Sequence, residues 1–185
     1  LTQKAGAALL DKIGPAILLT HSQSGLLGWV IAEARPQLVK GIVALEPSGP
    51  PFHNAAPGDP KARPYGITDL PVTYDPPVSE PGQIKTKRQD KADAERLITC
   101  TLQEEPARKL VNFAKIPVMI GVSESSYHAP YDHCTAKYMK QAGVPVEFIR
   151  MQDKGQRGNG HMMMIEKNNL AIAAILDQWM RAKVR

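Results

Sequence analysis

The sequence predicts an α/β fold, a mostly parallel sheet flanked by helices. Three observations carry this. Four short apolar runs have the pattern of strands buried on both faces. Stretches with apolar residues at helical spacing separate them, which gives the alternation of a parallel sheet. One interruption breaks the rhythm: ten of the sixteen prolines lie between Pro47 and Pro81.

The elements follow in order. Ala5, Ala8, Leu9 and Ile13 mark a first helix, stopped by Gly14-Pro15. Ala16–Thr20 is a continuously apolar strand, and Gly25–Arg35 is an amphipathic helix ended by Pro36. Gly41–Glu46 is a second strand. The proline-rich stretch comes next; such a stretch within a domain is a lid, a binding loop or an extended excursion. Ala92–Leu110 has room for one or two helices. Ile116–Val122 is a third strand, Asp132–Gln141 a helix closed by Gly143, and Val144–Arg150 a fourth strand. A glycine loop, Gly155–Gly160, leads to His161. A last helix runs from Met163 to about Lys183, with Ile165, Leu170, Ala174, Ile175 and Trp179 on its apolar side.

Composition sets bounds. With 185 residues, 43% hydrophobic and 22% charged, the chain has enough apolar material for a core and is not a disordered polymer. No apolar run approaches the roughly 20 residues of a membrane helix, so no membrane span is expected. A net charge of +5 is weak evidence for nucleic acid. Lys85, Lys87, Arg88 and Lys91 form one short basic run, which reads as a solvated face, and no nucleic-acid partner is expected. Cys100 and Cys134 leave two readings open. One disulfide implies a secreted or periplasmic protein; two buried thiols imply a cytoplasmic one. His128 and His133 sit near Cys134 at no ordinary zinc spacing, so neither a metal nor another cofactor is expected.

The chemistry concentrates at Thr20-His21-Ser22-Gln23-Ser24-Gly25. A serine nucleophile on a strand-to-helix turn needs small neighbours, because the chain before it and the chain after it pass close together. Ser22 fits this frame, with Thr20 and Ser24 where glycines are usual. The alternative is a serine that merely caps a helix. The amide of Gln23, at the next helix's N-terminus, is a natural oxyanion donor. His161 lies after the fourth strand, placed to deliver an imidazole as general base. Two acids compete to orient it: Glu46, ending the second strand, and Glu124, following the third. His21 and Met162 flank these groups and are candidates for the substrate pocket.

These residues resemble the α/β-hydrolase superfamily over nearly the whole chain. More narrowly, Thr20–Gly25, Ala44–Phe52 and Gly158–Met162 are similar to a group of esterase-like hydrolases with a Ser-Glu-His triad. The resemblance implies Ser22 as nucleophile, Glu46 rather than Glu124 as acid, and His161 as base. It implies carboxylic-ester hydrolysis of a small-molecule substrate. Residues 1–46 and 111–185 would form the core and 47–110 an inserted cap. The superfamily's sheet has more strands than the four counted here, and its second oxyanion donor follows an early strand. An N-terminal segment or companion chain is therefore expected to complete the sheet. Two rival readings remain. The same triad serves lactone, thioester, peptide or C–C cleavage, and a hydrolase scaffold also serves non-catalytic binding.

Overall fold

The four apolar runs pair into one parallel sheet in the computed structural model, which describes residues 1–184. The first half of the chain gives α1 (Thr2–Ile13), β1 (Ala16–His21), α2 (Ser24–Ala34) and β2 (Val39–Leu45). The excursion that follows holds four short strands: β3 (Tyr74–Asp75), β4 (Thr86–Arg88), β5 (Thr101–Gln103) and β6 (Lys109–Leu110). The remainder is β7 (Val118–Val122), α3 (Asp132–Gln141), β8 (Val146–Arg150) and α4 (Asn169–Lys183). The main sheet has the order β1-β2-β7-β8, every pair parallel. Parallel neighbours need long crossovers. Here α2 joins β1 to β2, α3 joins β7 to β8, and the whole excursion lies between β2 and β7.

Successive strand residues face opposite sides of the sheet. Ile42 and Ala44 of β2 therefore join the core containing Trp29, Phe113 and Tyr138. Val43 and Leu45 join the other, with Met119, Met151, Met163 and the inner face of α4. The two cores are why β2 and β7 read as unbroken apolar runs. β1 differs from expectation. It is an outer strand of the sheet, only half-buried, and Leu19 is 57% exposed.

Two further expectations are corrected. Residues 92–110 hold no helix; they contribute β5, which pairs with β4, and β6, which pairs with β3. The charged run Asp90–Arg96 supplies no apolar stripe, and Pro106 removes an amide donor. The last helix begins at Asn169, after a 3₁₀ turn at Met163–Ile165. Its buried face is Ile172, Leu176 and Trp179, whereas Ile165 and Leu170 are solvent-exposed and Ala174 also faces out. Ile165 lies in the 3₁₀ turn, outside the helix; for Leu170 and Ala174 helical phase decides, because the register is set by the residues that pack in one core with Met151 and Met163.

The cysteines form a disulfide, Cys100–Cys134, which ties the excursion to α3. Among the described residues no helix is long and apolar enough to cross a membrane.

Candidate functional site

Ser22 occupies the sharp turn between β1 and α2, with φ of 57°, a left-handed conformation rare for a residue with a Cβ. The turn is locked locally. The Ser24 hydroxyl donates to the His21 carbonyl at 2.7 Å and accepts the His21 amide at 2.8 Å. Space around the turn is tight, so a Cβ on Gly25 would lie 2.5 Å from the Cβ of Pro47. That contact brings the turn after β2 against the turn after β1. The Ser22 amide donates to the Leu45 carbonyl and the Ser48 amide donates to the Ser22 carbonyl, at 3.0 and 3.2 Å.

Glu46 is the residue after β2, fully buried and also left-handed, with φ of 47°. Two left-handed residues with side chains, on adjoining turns, store backbone strain where the chemistry gathers. The Glu46 carboxylate is fully engaged. Oε1 accepts the Ser123 amide at 2.8 Å, and Oε2 accepts the Ser126 hydroxyl at 2.5 Å. His161 Nδ1 lies 2.5 Å from the same Oε2, and its Nε2 lies 2.9 Å from Ser22 Oγ. Ser22, His161 and Glu46 thus form one hydrogen-bonded line. With Nδ1 donating to the carboxylate, Nε2 is left to accept the Ser22 hydroxyl.

Glu124 does not reach His161. Its carboxylate accepts Arg157 Nη1 at 3.0 Å and the Gly158 amide at 2.9 Å, holding the loop that carries the imidazole. That loop is tied down as well. Asn159 Nδ2 donates to Glu166 and Asn168, and the Gly160 amide donates to Glu166, all at 2.7 Å. Side-chain bonds to the start of the last helix, rather than glycine flexibility, set its course.

A cavity of about 490 Å³ opens over Ser22, with Gln23, Ser48, Asn54, Arg63, Asp69 and Tyr131 among its lining residues. Gln23 stands at the N-terminus of α2, next to the serine. His21 and Met162 are not on that wall. His21 turns back so that its Nε2 meets the His161 carbonyl at 2.9 Å, and Met162 is 47% exposed. The His21 ring packs against the imidazole of His161, with centroids 4.4 Å apart, instead of facing the cavity.

The sequence left several neighbours unassigned. Ser123 and Ser126, after β7, hold the buried acid. His128 is 2% exposed, and its ring stacks on that of His161. Its Nδ1 meets Asp132 Oδ1 at 3.0 Å. Burial, then the nearby His161 and His21, push His128 down to about 3, so the ring is neutral near pH 7. Burial and the Glu46 charge push the Asp132 carboxyl well above the usual range. The density of His, Tyr and Asp in 127–133 was a visible signal, and metal spacing was the wrong test for it. Arg63 carried no local signal.

Among the described residues, two groups bring ligand-type atoms within 4.8 Å of one another: Cys100, His133 and Cys134, and His21, Glu46 and His161. In the first the sulfurs are bonded to each other, leaving no thiolate. In the second, Glu46 and His161 already spend the relevant atoms on each other.

No protein-family model matches the chain. It is 50% identical over 184 residues to a curated protein named "Probable secreted lipase phiG" from Fungal sp. (strain ATCC 74256). That alignment covers 96% of this chain and 49% of the relative, so the chain spans about half the relative's length. Among solved structures, a novel bacterial esterase aligns with a TM-score of 0.57 and 19% identity, over 97% of this chain and 42% of that one. The monoacylglycerol lipase of Paleococcus ferrophilus aligns with a TM-score of 0.51 and 16% identity, over 99% and 76%.

Proposed function

The chain has the α/β-hydrolase fold, and on that premise we propose that it is a serine hydrolase of carboxylic esters, with Ser22 as nucleophile, His161 as general base and Glu46 as orienting acid. The observation that supports this most is the continuous line from Ser22 Oγ through both nitrogens of His161 to Glu46. The names of the relatives, lipase and esterase, point to the same bond.

The steps follow from the geometry. His161 Nε2 takes the Ser22 proton as Oγ attacks the ester carbonyl carbon. Glu46 holds the tautomer with Nδ1 protonated and stabilises the imidazolium that forms. Its own carboxylate stays in place through the Ser123 and Ser126 donors. The Gln23 amide, at the positive end of α2, donates to the oxyanion. His161 returns the proton to the leaving alcohol. It then activates the water that cleaves the acyl-enzyme and regenerates Ser22.

Residues 47–110 act as a cap, since Asn54, Ala55, Ala62, Arg63 and Asp69 form the far wall of the cavity. The disulfide and the relative's name support secretion into an oxidising compartment.

A fluorophosphonate probe tests the reading. Stoichiometric labelling at Ser22 is expected, with labelling lost and ester turnover down roughly 10⁴-fold or more in Ser22→Ala. Labelling elsewhere, or full activity in that variant, would sink it.

A further inference from the structure

The cavity wall holds a buried cation that no carboxylate pairs directly. Arg63 is 4% exposed and lines the same cavity as Ser22. Its Nε and Nη2 donate to the Pro50 carbonyl at 3.0 and 2.7 Å, and its Nη1 donates to Asn54 Oδ1 at 2.9 Å. These acceptors are all neutral. By contrast, the half-buried Arg35 and the exposed Arg88, Arg150, Arg157 and Arg181 each meet a carboxylate within 3.0 Å. Arg96 and Arg108 also lack a paired carboxylate, but neither is buried; among the described residues Arg63 is the arginine taken out of water without one, which is costly.

The nearby acid, Asp69, lends its charge to the guanidinium through space but does not pair with it. Asp69 is exposed, and its Oδ1 accepts the backbone amide of Arg63 at 3.0 Å, not the guanidinium. The residue's backbone is left-handed, with φ of 45°. Asp69 at the Arg63 amide and the Gly66 amide at the Arg63 carbonyl hold it there. A conformation that side chains rarely adopt is thus maintained to keep this guanidinium in place.

Donor accounting shows what remains. A guanidinium has five N–H groups in a fixed planar fork. The Pro50 carbonyl takes two and Asn54 takes one. One N–H on each terminal nitrogen is left for a further acceptor, and a carboxylate is the acceptor that also supplies the missing charge. Asp69 is a charged neighbour on this wall; two other neighbours carry no charge. His128 is neutral near pH 7, and burial raises the Tyr131 phenol, which stays neutral.

We propose that Arg63 reads a carboxylate on the substrate, so that the preferred esters are anionic, bearing a free carboxylate in the acyl or the alcohol part. This rests on the ester-hydrolase reading above and narrows its substrate class. It also fits a wall to which Asn54, Arg63 and Tyr131 contribute polar groups.

Two matched pairs test it on the full chain: monomethyl glutarate against methyl glutaramate, and 4-acetoxybenzoate against 4-acetoxybenzamide. Each pair exchanges a carboxylate for a neutral amide. In at least one pair the wild type is expected to favour the acid at least about tenfold in kcat/KM, mostly through KM. In Arg63→Gln that ratio should collapse toward one, and Arg63→Lys should retain part of it. A purely structural clasp would lower both members of a pair together, so an unchanged ratio in Arg63→Gln overturns the proposal. If Arg63→Gln does not fold, a wild-type ratio kept in full by Arg63→Lys, which loses the fork, overturns it. A wild type without acid preference in either pair does so directly, even with Ser22 labelled. If none of the four esters turns over and Ser22 resists the fluorophosphonate, the hydrolase reading itself falls, and this one with it.

Discussion

The rings of His128 and His161 lie stacked, 7° from parallel, with centroids 4.8 Å apart. Two imidazoles at that distance cannot comfortably carry charge together. Burial decides which stays neutral: His128 is 2% exposed and held down to about 3. His128 therefore adds no charge beside His161 near pH 7.

The stack has a stability consequence with a definite sign. The folded value of His128 lies below the ordinary 6.5. Between those two values the unfolded chain binds a proton that the folded chain does not. The contribution of His128 to stability is therefore complete above about pH 6.5 and is lost progressively as pH falls toward 3. Asp132, shifted upward, acts with the opposite sign, so the diagnostic quantity is a difference. Urea unfolding of wild type and His128→Gln from pH 7 to pH 4 should show the variant losing less stability on acidification. Parallel curves would rule out a depressed His128.

The two acids separate by their partners. Glu46 meets the imidazole, whereas Glu124 meets Arg157 and the Gly158 amide. Glu46→Gln should lower kcat about 10³- to 10⁴-fold, because an amide neither fixes the tautomer nor stabilises the imidazolium. Glu124→Gln keeps an acceptor for the loop and should cost about tenfold or less. Equal losses in steady-state kinetics would reverse the assignment.

Gly25 is where the Ser22 turn and the Glu46 turn touch. A methyl group there would lie 2.5 and 2.8 Å from Pro47 Cβ and Cα. Backbone cannot give way as a flexible side-chain tip can. Gly25→Ala should cost about 1–3 kcal/mol in denaturant unfolding. It should also lower kcat, because displacing Pro47 moves Glu46. A variant of wild-type stability and rate would show that the two turns are not tightly coupled.

The disulfide joins β5's approach to α3 across a sequence separation of 34. Loop-closure entropy for that span gives about 3–4 kcal/mol. Cys100→Ala/Cys134→Ala should lose about that much in equilibrium unfolding. The loss should match that of wild type in a thiol reductant. An unchanged midpoint would mean the excursion is anchored by its other contacts, such as the ion pair of Asp93 with Lys137.

The sequence by itself determined what depends on neighbours along the chain. Apolar runs and helical spacing gave the four sheet strands and the helices between them. Small residues around Ser22 gave the turn, and the glycine loop pointed to His161. Tertiary structure decided what depends on residues far apart. Glu46 and Glu124 both end strands at one sheet edge. The strand order β1-β2-β7-β8 and the donors from Ser123 and Ser126 turned only Glu46 onto the imidazole. The phase of α4 was set by its partners in the core on its side of the sheet, so Leu170 faces solvent despite its chemistry. Arg63 lies in a stretch without helical or strand periodicity, where local pattern says nothing about burial. Its place in the cavity comes from contacts with Pro50, Asn54 and Asp69, which fix a position that periodicity cannot encode.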